Sequence, residues 1–152
     1  GRFTARLRAQ GTRPLHLDQS VAMLKALRSR FGAGWEVAGD LRHPPLVFDP
    51  HAVLLCLRLF QHLGSRERAE ILAGFRQLTP RALIAWYPGW HFKVAGRRLR
   101  HALGLPHPAL REWLTPADIR AEAREAGWRT LRIRPVLPGL SENVLVSLEA
   151  AP

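Results

Sequence analysis

Hydrophobic positions along the chain alternate between helical spacing and short continuous runs. Apolar residues recur three or four positions apart in five segments and predict amphipathic helices at 3–10, 21–31, 65–76, 92–103 and 116–126. Continuous or alternating apolar runs lie between them and predict strands at 14–18, 35–38, 52–57, 82–86, 130–134 and 143–148. Helices that alternate with strands are typical of an α/β protein with a mainly parallel sheet.

Local signals sharpen several of these elements. Ser20 is placed to cap the second helix, and Thr115 followed by Pro116 is a strong helix start. The run Ala52–Leu57 is apolar on both faces, which favours a central strand covered by helices on both sides of the sheet. The connection 135–142 is too short for a crossover helix, so the last two strands should pair antiparallel.

Length and composition exclude several classes of protein. With 152 residues the chain is expected to form a single domain, and one cysteine, Cys56, excludes an intramolecular disulfide framework. The His and Cys positions match no zinc-ligand spacing, so no metal is expected. The longest apolar run is far shorter than the roughly 20 residues of a membrane span, and no signal peptide is recognisable. We therefore expect a cytoplasmic protein without a membrane partner.

The strong positive charge has two interpretations. The formal net charge is +11, and all the basic residues except Lys25 and Lys93 are arginine, which a compositional bias would explain. Clustering nevertheless exists, because no Asp or Glu occurs between Glu70 and Glu112 while seven basic residues do. Clustered arginines are typical of surfaces that bind phosphate groups, so RNA stays open as a partner.

Polar residues follow three of the predicted strands at the edge where ligands of open α/β sheets bind. They are Asp18, the Gly39-Asp40 turn and Leu57-Arg58. A carboxylate at such a strand end can accept hydrogen bonds from ribose hydroxyls, and a second one can accept from an exocyclic amine. A single acid in this position is more often a helix cap or a turn residue, but two on consecutive strands favour a nucleotide-like ligand.

Four stretches in this order resemble class I S-adenosylmethionine-dependent methyltransferases. Gly1-Arg2-Phe3-Thr4 is similar to the end of their glycine-rich motif, and His16-Leu17-Asp18 to their acidic ribose-binding motif. Gly39-Asp40-Leu41 resembles the adenine-binding turn. The family's signature around its fourth strand is similar to three stretches that follow in order, Phe48-Asp49, Val53–Leu57 and Gln61-His62-Leu63.

The resemblance implies a fold, a cofactor and a set of binding residues. The fold is Rossmann-like, a mostly parallel sheet with helices on both faces and a C-terminal antiparallel strand. The cofactor is S-adenosylmethionine, held by Gly1, Asp18, Gln19, Asp40, Leu41 and Leu57. The family's first strand and most of its glycine loop have no counterpart here, so we expect a truncated domain that binds the cofactor weakly or not at all.

The segment 87–114 is interpreted as a lid or a substrate-side insertion. It begins with aromatic residues and continues with basic ones, although rings packing over the sheet would explain the aromatics equally. Substrate-side candidates are Arg58, His62, Trp90, His91 and Lys93, and no catalytic base is indicated. The leading hypothesis is methyl transfer to a small molecule. The alternatives are an RNA-directed methyltransferase of the same fold and a non-catalytic interaction module. The sequence indicates neither the methyl acceptor nor the oligomeric state.

Overall fold

The chain divides into two compact units, residues 1–47 and 48–152. The structure is a computed structural model, and it describes residues 3–87, 92–105, 114–136 and 143–152. All peptide bonds of the described residues are trans. Each unit has its own helices and its own sheet, and each is described in turn.

The first unit is a short α/β arrangement with two parallel strands. Its elements are helix α1 (Thr4–Ala9), strand β1 (Leu15–Asp18), helix α2 (Val21–Phe31) and strand β2 (Trp35–Ala38). β1 and β2 pair in parallel from Leu15 opposite Trp35 to Asp18 opposite Ala38. Ser20 caps α2, because its hydroxyl accepts a hydrogen bond from the Met23 amide at 3.3 Å. The predicted order of these elements and the Ser20 cap are confirmed.

The second unit contains a four-stranded sheet with helices before and after its strands. In chain order the elements are β3 (Leu54–Cys56), a 3-10 turn (Phe60–His62), α3 (Ser65–Arg76), β4 (Arg81–Trp86), α4 (Phe92–Ala102), α5 (Pro116–Glu125), β5 (Trp128–Pro135) and β6 (Val144–Ala150). The strand order is β3-β4-β6-β5. β3 and β4 are parallel, whereas β6 is antiparallel to both of its neighbours. The predicted antiparallel pairing of the last two strands is confirmed.

Strand β3 differs from the central buried strand that the sequence predicts over Ala52–Leu57. It has three residues, it lies at the end of the described sheet, and Val53 and Leu55 are 59% and 41% exposed. The strand begins late because Ala52 is held in a turn. The Ala52 amide donates to the Asp49 carbonyl at 3.3 Å, and the Ala52 carbonyl accepts from the Thr79 hydroxyl at 2.6 Å.

The core of the second unit forms where α3 and α5 pack on the sheet. Its largest fully buried side chains include Trp86, Trp128, Phe60 and Phe75. The rings of Phe60 and Trp86 meet edge to face with centroids 4.6 Å apart, and this contact fastens the 3-10 turn to the end of β4. The Trp128 indole donates to the Leu72 carbonyl at 2.9 Å, which joins the start of β5 to α3.

Hydrogen bonds between neighbouring residues determine where helix α5 begins. The Thr115 hydroxyl accepts from the Asp118 amide at 3.2 Å, and the Asp118 carboxylate accepts from the Thr115 amide at 2.7 Å, a capping box that starts α5. The hydrogen bonds that the carboxylate accepts from the Thr115 amide and hydroxyl lower the pKa of Asp118. Helix α4 ends at Ala102, one residue before the predicted end at Leu103.

None of the helices in the described part of the chain has the length and apolar character needed to cross a membrane.

Candidate functional site

In the first unit, the carboxyl ends of β1 and β2 bring four of the predicted site residues close together. Asp18 and Gln19 follow β1, and Asp40 and Leu41 follow β2. The Gly39 amide donates to the Asp18 carbonyl at 3.2 Å, which extends the parallel pairing to the end of both strands. Gln19 also contributes, after Arg42, to lowering the pKa of Asp40. Asp18 and Asp40 therefore lie at the neighbouring ends of two parallel strands.

The Asp18 carboxylate is oriented by the backbone that follows it. Its Oδ1 accepts from the Ser20 amide at 2.8 Å, a short-range bond that locks the side chain as the chain leaves the strand. Its Oδ2 has no hydrogen-bond partner among the described residues, and the residue is half-buried. Asp18 therefore offers an oriented acceptor oxygen beyond the end of β1.

The Asp40 carboxylate is already engaged. Arg42 reaches it with Nε at 3.1 and 3.0 Å from the two oxygens, with Nη2 at 2.5 Å from Oδ2, and with its backbone amide at 2.9 Å from Oδ1. The Arg42 side chain, followed by its amide, holds the pKa of Asp40 well below its usual range. A ligand amine that binds Asp40 must share or displace one of these bonds. Arg42 was not predicted as a site residue. The indication in the sequence is a basic residue two positions after the acidic Asp40.

Gly39 allows the turn after β2 to close tightly. A Cβ built on this residue would lie 2.5 Å from Cδ of Pro45 and 3.2 Å from a methyl carbon of Leu17. Any side chain at this position would therefore collide with the proline that follows the turn. The close approach of Pro45 explains why the residue before Asp40 is a glycine.

In the second unit, the carboxyl end of β3 carries the other described candidates. Leu57 is half-buried, and the exposed Arg58 has a φ of 66°, which no other non-glycine residue in the described part of the chain shares. Such a conformation costs of order 1 kcal/mol or more and occurs preferentially at ligand sites. His62 is exposed, and its Nε2 lies 2.9 Å from the Gln61 amide nitrogen. The 3-10 turn therefore presents His62 and Gln61 as a bonded pair.

The indole nitrogen of Trp86 adds a feature that the sequence does not predict. The Trp86 side chain is fully buried at the carboxyl end of β4, yet Nε1 has no hydrogen-bond partner among the described residues. A buried indole donor without an acceptor is costly and infrequent in folded proteins. The clue in the sequence was a tryptophan at the last position of an apolar strand.

The structure gives little or no description of the remaining candidates. Gly1, Trp90 and His91 lie outside the described residues, and Lys93 is described only as a position in α4. Among the residues that the structure covers, no group of three or more His, Cys, Asp and Glu side chains is arranged to hold a metal ion.

Comparison with known proteins identifies the fold. No family model matches the chain, and no curated protein matches it closely enough in sequence to count as a relative. Among solved structures, LaPhzM superimposes with a TM-score of 0.69 at 20% identity, over 97% of this chain and 46% of its own. The magnesium protoporphyrin IX methyltransferase ChlM from Synechocystis PCC 6803, with SAH bound, gives 0.63 at 16% identity, over 99% and 81%.

A third similar structure, described as a pericyclic reaction enzyme, has a TM-score of 0.69 at 15% identity and covers 97% of this chain and 39% of its own. The chain thus spans less than half the length of two of these three structures. At such identities the likeness concerns the fold. The expected Rossmann-like fold of class I methyltransferases, with its C-terminal antiparallel strand, is confirmed.

Proposed function

We propose that the chain forms part of an S-adenosylmethionine-dependent methyltransferase that acts on a small molecule. The observation that carries the proposal is the oriented carboxylate of Asp18 at the end of β1, which keeps one oxygen without a described partner. Its position beyond the end of a parallel strand is where dinucleotide and nucleoside ligands meet this type of sheet. The fold likeness to a methyltransferase crystallised with SAH supports the same ligand class.

The residues of the first unit fit the nucleoside part of such a cofactor. Asp18 supplies an acceptor for ribose hydroxyls, and Gln19, which is exposed beside it, supplies an amide that both donates and accepts. Asp40 and Leu41 would border the adenine, with Asp40 sharing its hydrogen bonds between the ligand and Arg42. Leu57, which is half-buried, is proposed as a cofactor contact from the family resemblance. The fit of Gly1 stays a proposal from the family resemblance.

The cofactor supplies an electrophilic methyl group on a sulfonium, so the protein's main contribution is to position an acceptor in line with it. We assign Arg58 and His62 to the acceptor side, together with Trp90, His91 and Lys93 as part of a lid over 87–114. The left-handed backbone of Arg58 directs the chain out of β3 immediately before the 3-10 turn that carries His62. The hydrogen bond to Gln61 holds the His62 side chain in place. We therefore assign His62 to positioning a polar group of the acceptor.

The binding part of the proposal is tested by calorimetric titration of the full-length protein with S-adenosylhomocysteine. Asp18→Asn keeps Oδ1 for the Ser20 amide but removes the charge. Because a hydrogen bond to a charged group contributes about 1.5 to 3 kcal/mol, the dissociation constant should rise about 10- to 100-fold. Asp49→Asn is the matched control, since its Oδ1 accepts from the His51 amide at 2.8 Å in the same local geometry before β3. No measurable binding, or an equal effect of both variants, would overturn the assignment.

Methyl transfer itself needs a second experiment, because an enzyme described as pericyclic shares the fold. The full-length protein is incubated with methyl-labelled S-adenosylmethionine and a low-molecular-mass cell filtrate, and products are separated by liquid chromatography with mass detection. We expect a labelled small molecule and an equal amount of S-adenosylhomocysteine, both reduced at least about tenfold in Asp18→Asn. Tight cofactor binding without any labelled product would refute methyl transfer while leaving the binding site intact.

A further inference from the structure

Helix α4 carries an apolar face that no described helix or strand covers extensively. Leu99 in α4 is 62% exposed, and Leu103, one turn later and immediately after the end of the helix, is 64% exposed; the Leu103 amide donates to the Leu99 carbonyl at 3.0 Å, and Leu105 is 47% exposed. A Cβ built at Gly96, three positions before Leu99, would meet nothing within 4 Å. Single exposed leucines are ordinary, but a row of them along one face of a helix marks an interaction surface.

Basic residues border this row on both sides. Arg98 and Arg100, which are both exposed, lie next to Leu99 in sequence and therefore project about 100° to either side of it around the helix axis. No acidic residue occurs anywhere between Glu70 and Glu112. The surface formed by Gly96, Leu99 and Leu103 with these two arginines is thus complementary to a partner that is apolar inside and anionic outside.

We propose that this surface docks α4 on an anionic lipid bilayer. An amphipathic helix of this kind lies flat, with its apolar face about 5 to 10 Å into the boundary between headgroups and acyl chains. The arginines then reach lipid phosphates while their stems follow the apolar face.

The other occupants fit the surface less well. A second copy of the chain would bring Arg98 and Arg100 against like charges. RNA would satisfy the arginines but leave the leucines exposed. The expectation of no membrane partner rests on the length of the apolar runs, which bears on crossing a bilayer and not on lying at its surface.

Co-sedimentation with lipid vesicles tests the proposal on the full-length protein. Vesicles of phosphatidylcholine mixed with phosphatidylglycerol should bind it, and phosphatidylcholine alone should bind it at least about tenfold more weakly. Leu99→Ala with Leu103→Ala preserves helix propensity and should lower the partition coefficient on the mixed vesicles about tenfold or more. The matched control is Leu131→Ala, because Leu131 on β5 is 55% exposed and carries the same side chain away from α4.

A second pair of variants separates specific docking from general attraction by a basic protein. Arg98→Gln with Arg100→Gln should weaken binding about tenfold, whereas Arg132→Gln with Arg134→Gln, the same charge change on β5, should weaken it only about twofold. Circular dichroism verifies that every variant keeps its helix content.

Three results would overturn the proposal. One is mixed-vesicle binding that is unchanged by the leucine substitutions, which leaves only nonspecific charge. Another is equal loss in both arginine pairs. The third is a dimer, seen by analytical ultracentrifugation, that the leucine variant dissociates while its vesicle binding persists; the surface would then join two copies of the chain. The docking does not depend on the proposed methyl transfer, so the leucine variant should bind S-adenosylhomocysteine as the wild type does.

Discussion

Neutralising Glu122 should destabilise the second unit strongly, because Glu122 is the partner of a buried arginine. The Arg68 guanidinium donates to both carboxylate oxygens of Glu122, at 2.9 and 2.6 Å, and to the Leu63 carbonyl at 2.6 Å. The side chains are 3% and 16% exposed. Glu122→Gln keeps the shape and removes the charge, which leaves a positive guanidinium that water reaches poorly.

The magnitude follows from the asymmetry of such pairs. Removing one partner of a buried ion pair costs about 3 to 5 kcal/mol, and the partial exposure of Glu122 places the expected loss near the lower figure, about 3 kcal/mol. Replacing both partners by apolar residues, Arg68→Met with Glu122→Met, removes the stranded charge and should fall within about 1 kcal/mol of the wild type. The difference between the loss of stability in the double variant and the sum of the losses in the two single variants measures the coupling of Arg68 and Glu122 directly.

The same helix provides a matched control. Arg66 and Glu70 form an ion pair at 3.0 Å on the outer face of α3, with side chains 92% and 37% exposed. Glu70→Gln should cost less than about 0.5 kcal/mol, because water already solvates both groups. Urea denaturation followed by tryptophan fluorescence reports on the second unit through the buried Trp86 and Trp128. Equal midpoints for Glu122→Gln and Glu70→Gln would refute the reasoning.

Further predictions concern single groups of the second unit. Arg58→Gly should raise the free energy of unfolding by about 0.5 to 1 kcal/mol, because glycine accepts the positive φ, whereas Arg58→Ala should give no gain in the same urea titration. The Asp118 pKa is lowered in the folded state by its bonds to Thr115. Its stabilisation is therefore present above the ordinary carboxyl pKa and is lost as the pH falls through the lowered one, and Asp118→Asn should flatten the acid side of the stability profile. Burial raises the pKa of Cys56 to about 12, so the folded protein should react with a thiol reagent at pH 8 much more slowly than the urea-unfolded chain, and equal rates would contradict the burial.

The sequence predicts elements well where a few neighbouring residues determine them. The α5 start is an example, because the Thr115 hydroxyl and the Asp118 carboxylate bond to each other and to each other's backbone and need nothing from the rest of the fold. The strand β3 is the opposite example. Its late start depends on Thr79, which is 27 positions from the Ala52 carbonyl that it bonds, and no local pattern reports such a contact.

The same limit explains what could be predicted of the site. The position of Asp18 and Asp40 at neighbouring strand ends follows from periodicity and turn residues alone, and the parallel pairing of β1 and β2 bears it out. The side-chain conformation of Arg42, which occupies both oxygens of Asp40, is a choice among rotamers that the sequence leaves open. The buried indole donor of Trp86, which has no partner in the described part of the chain, likewise becomes visible only when the surrounding atoms are known.

The engagement of Asp40 changes which carboxylate should dominate ligand binding. Two acids at adjacent strand ends suggest equal partners, but a ligand that approaches Asp40 must compete with the guanidinium and the backbone amide of Arg42. At Oδ2 of Asp18 a ligand competes with no described group. The first hydrogen bond to a ligand there breaks no described protein contact. Substitution of Asp18 should therefore weaken nucleoside binding more than substitution of Asp40, and the Asp40 carboxylate serves chiefly to hold the turn that Gly39 and Arg42 shape.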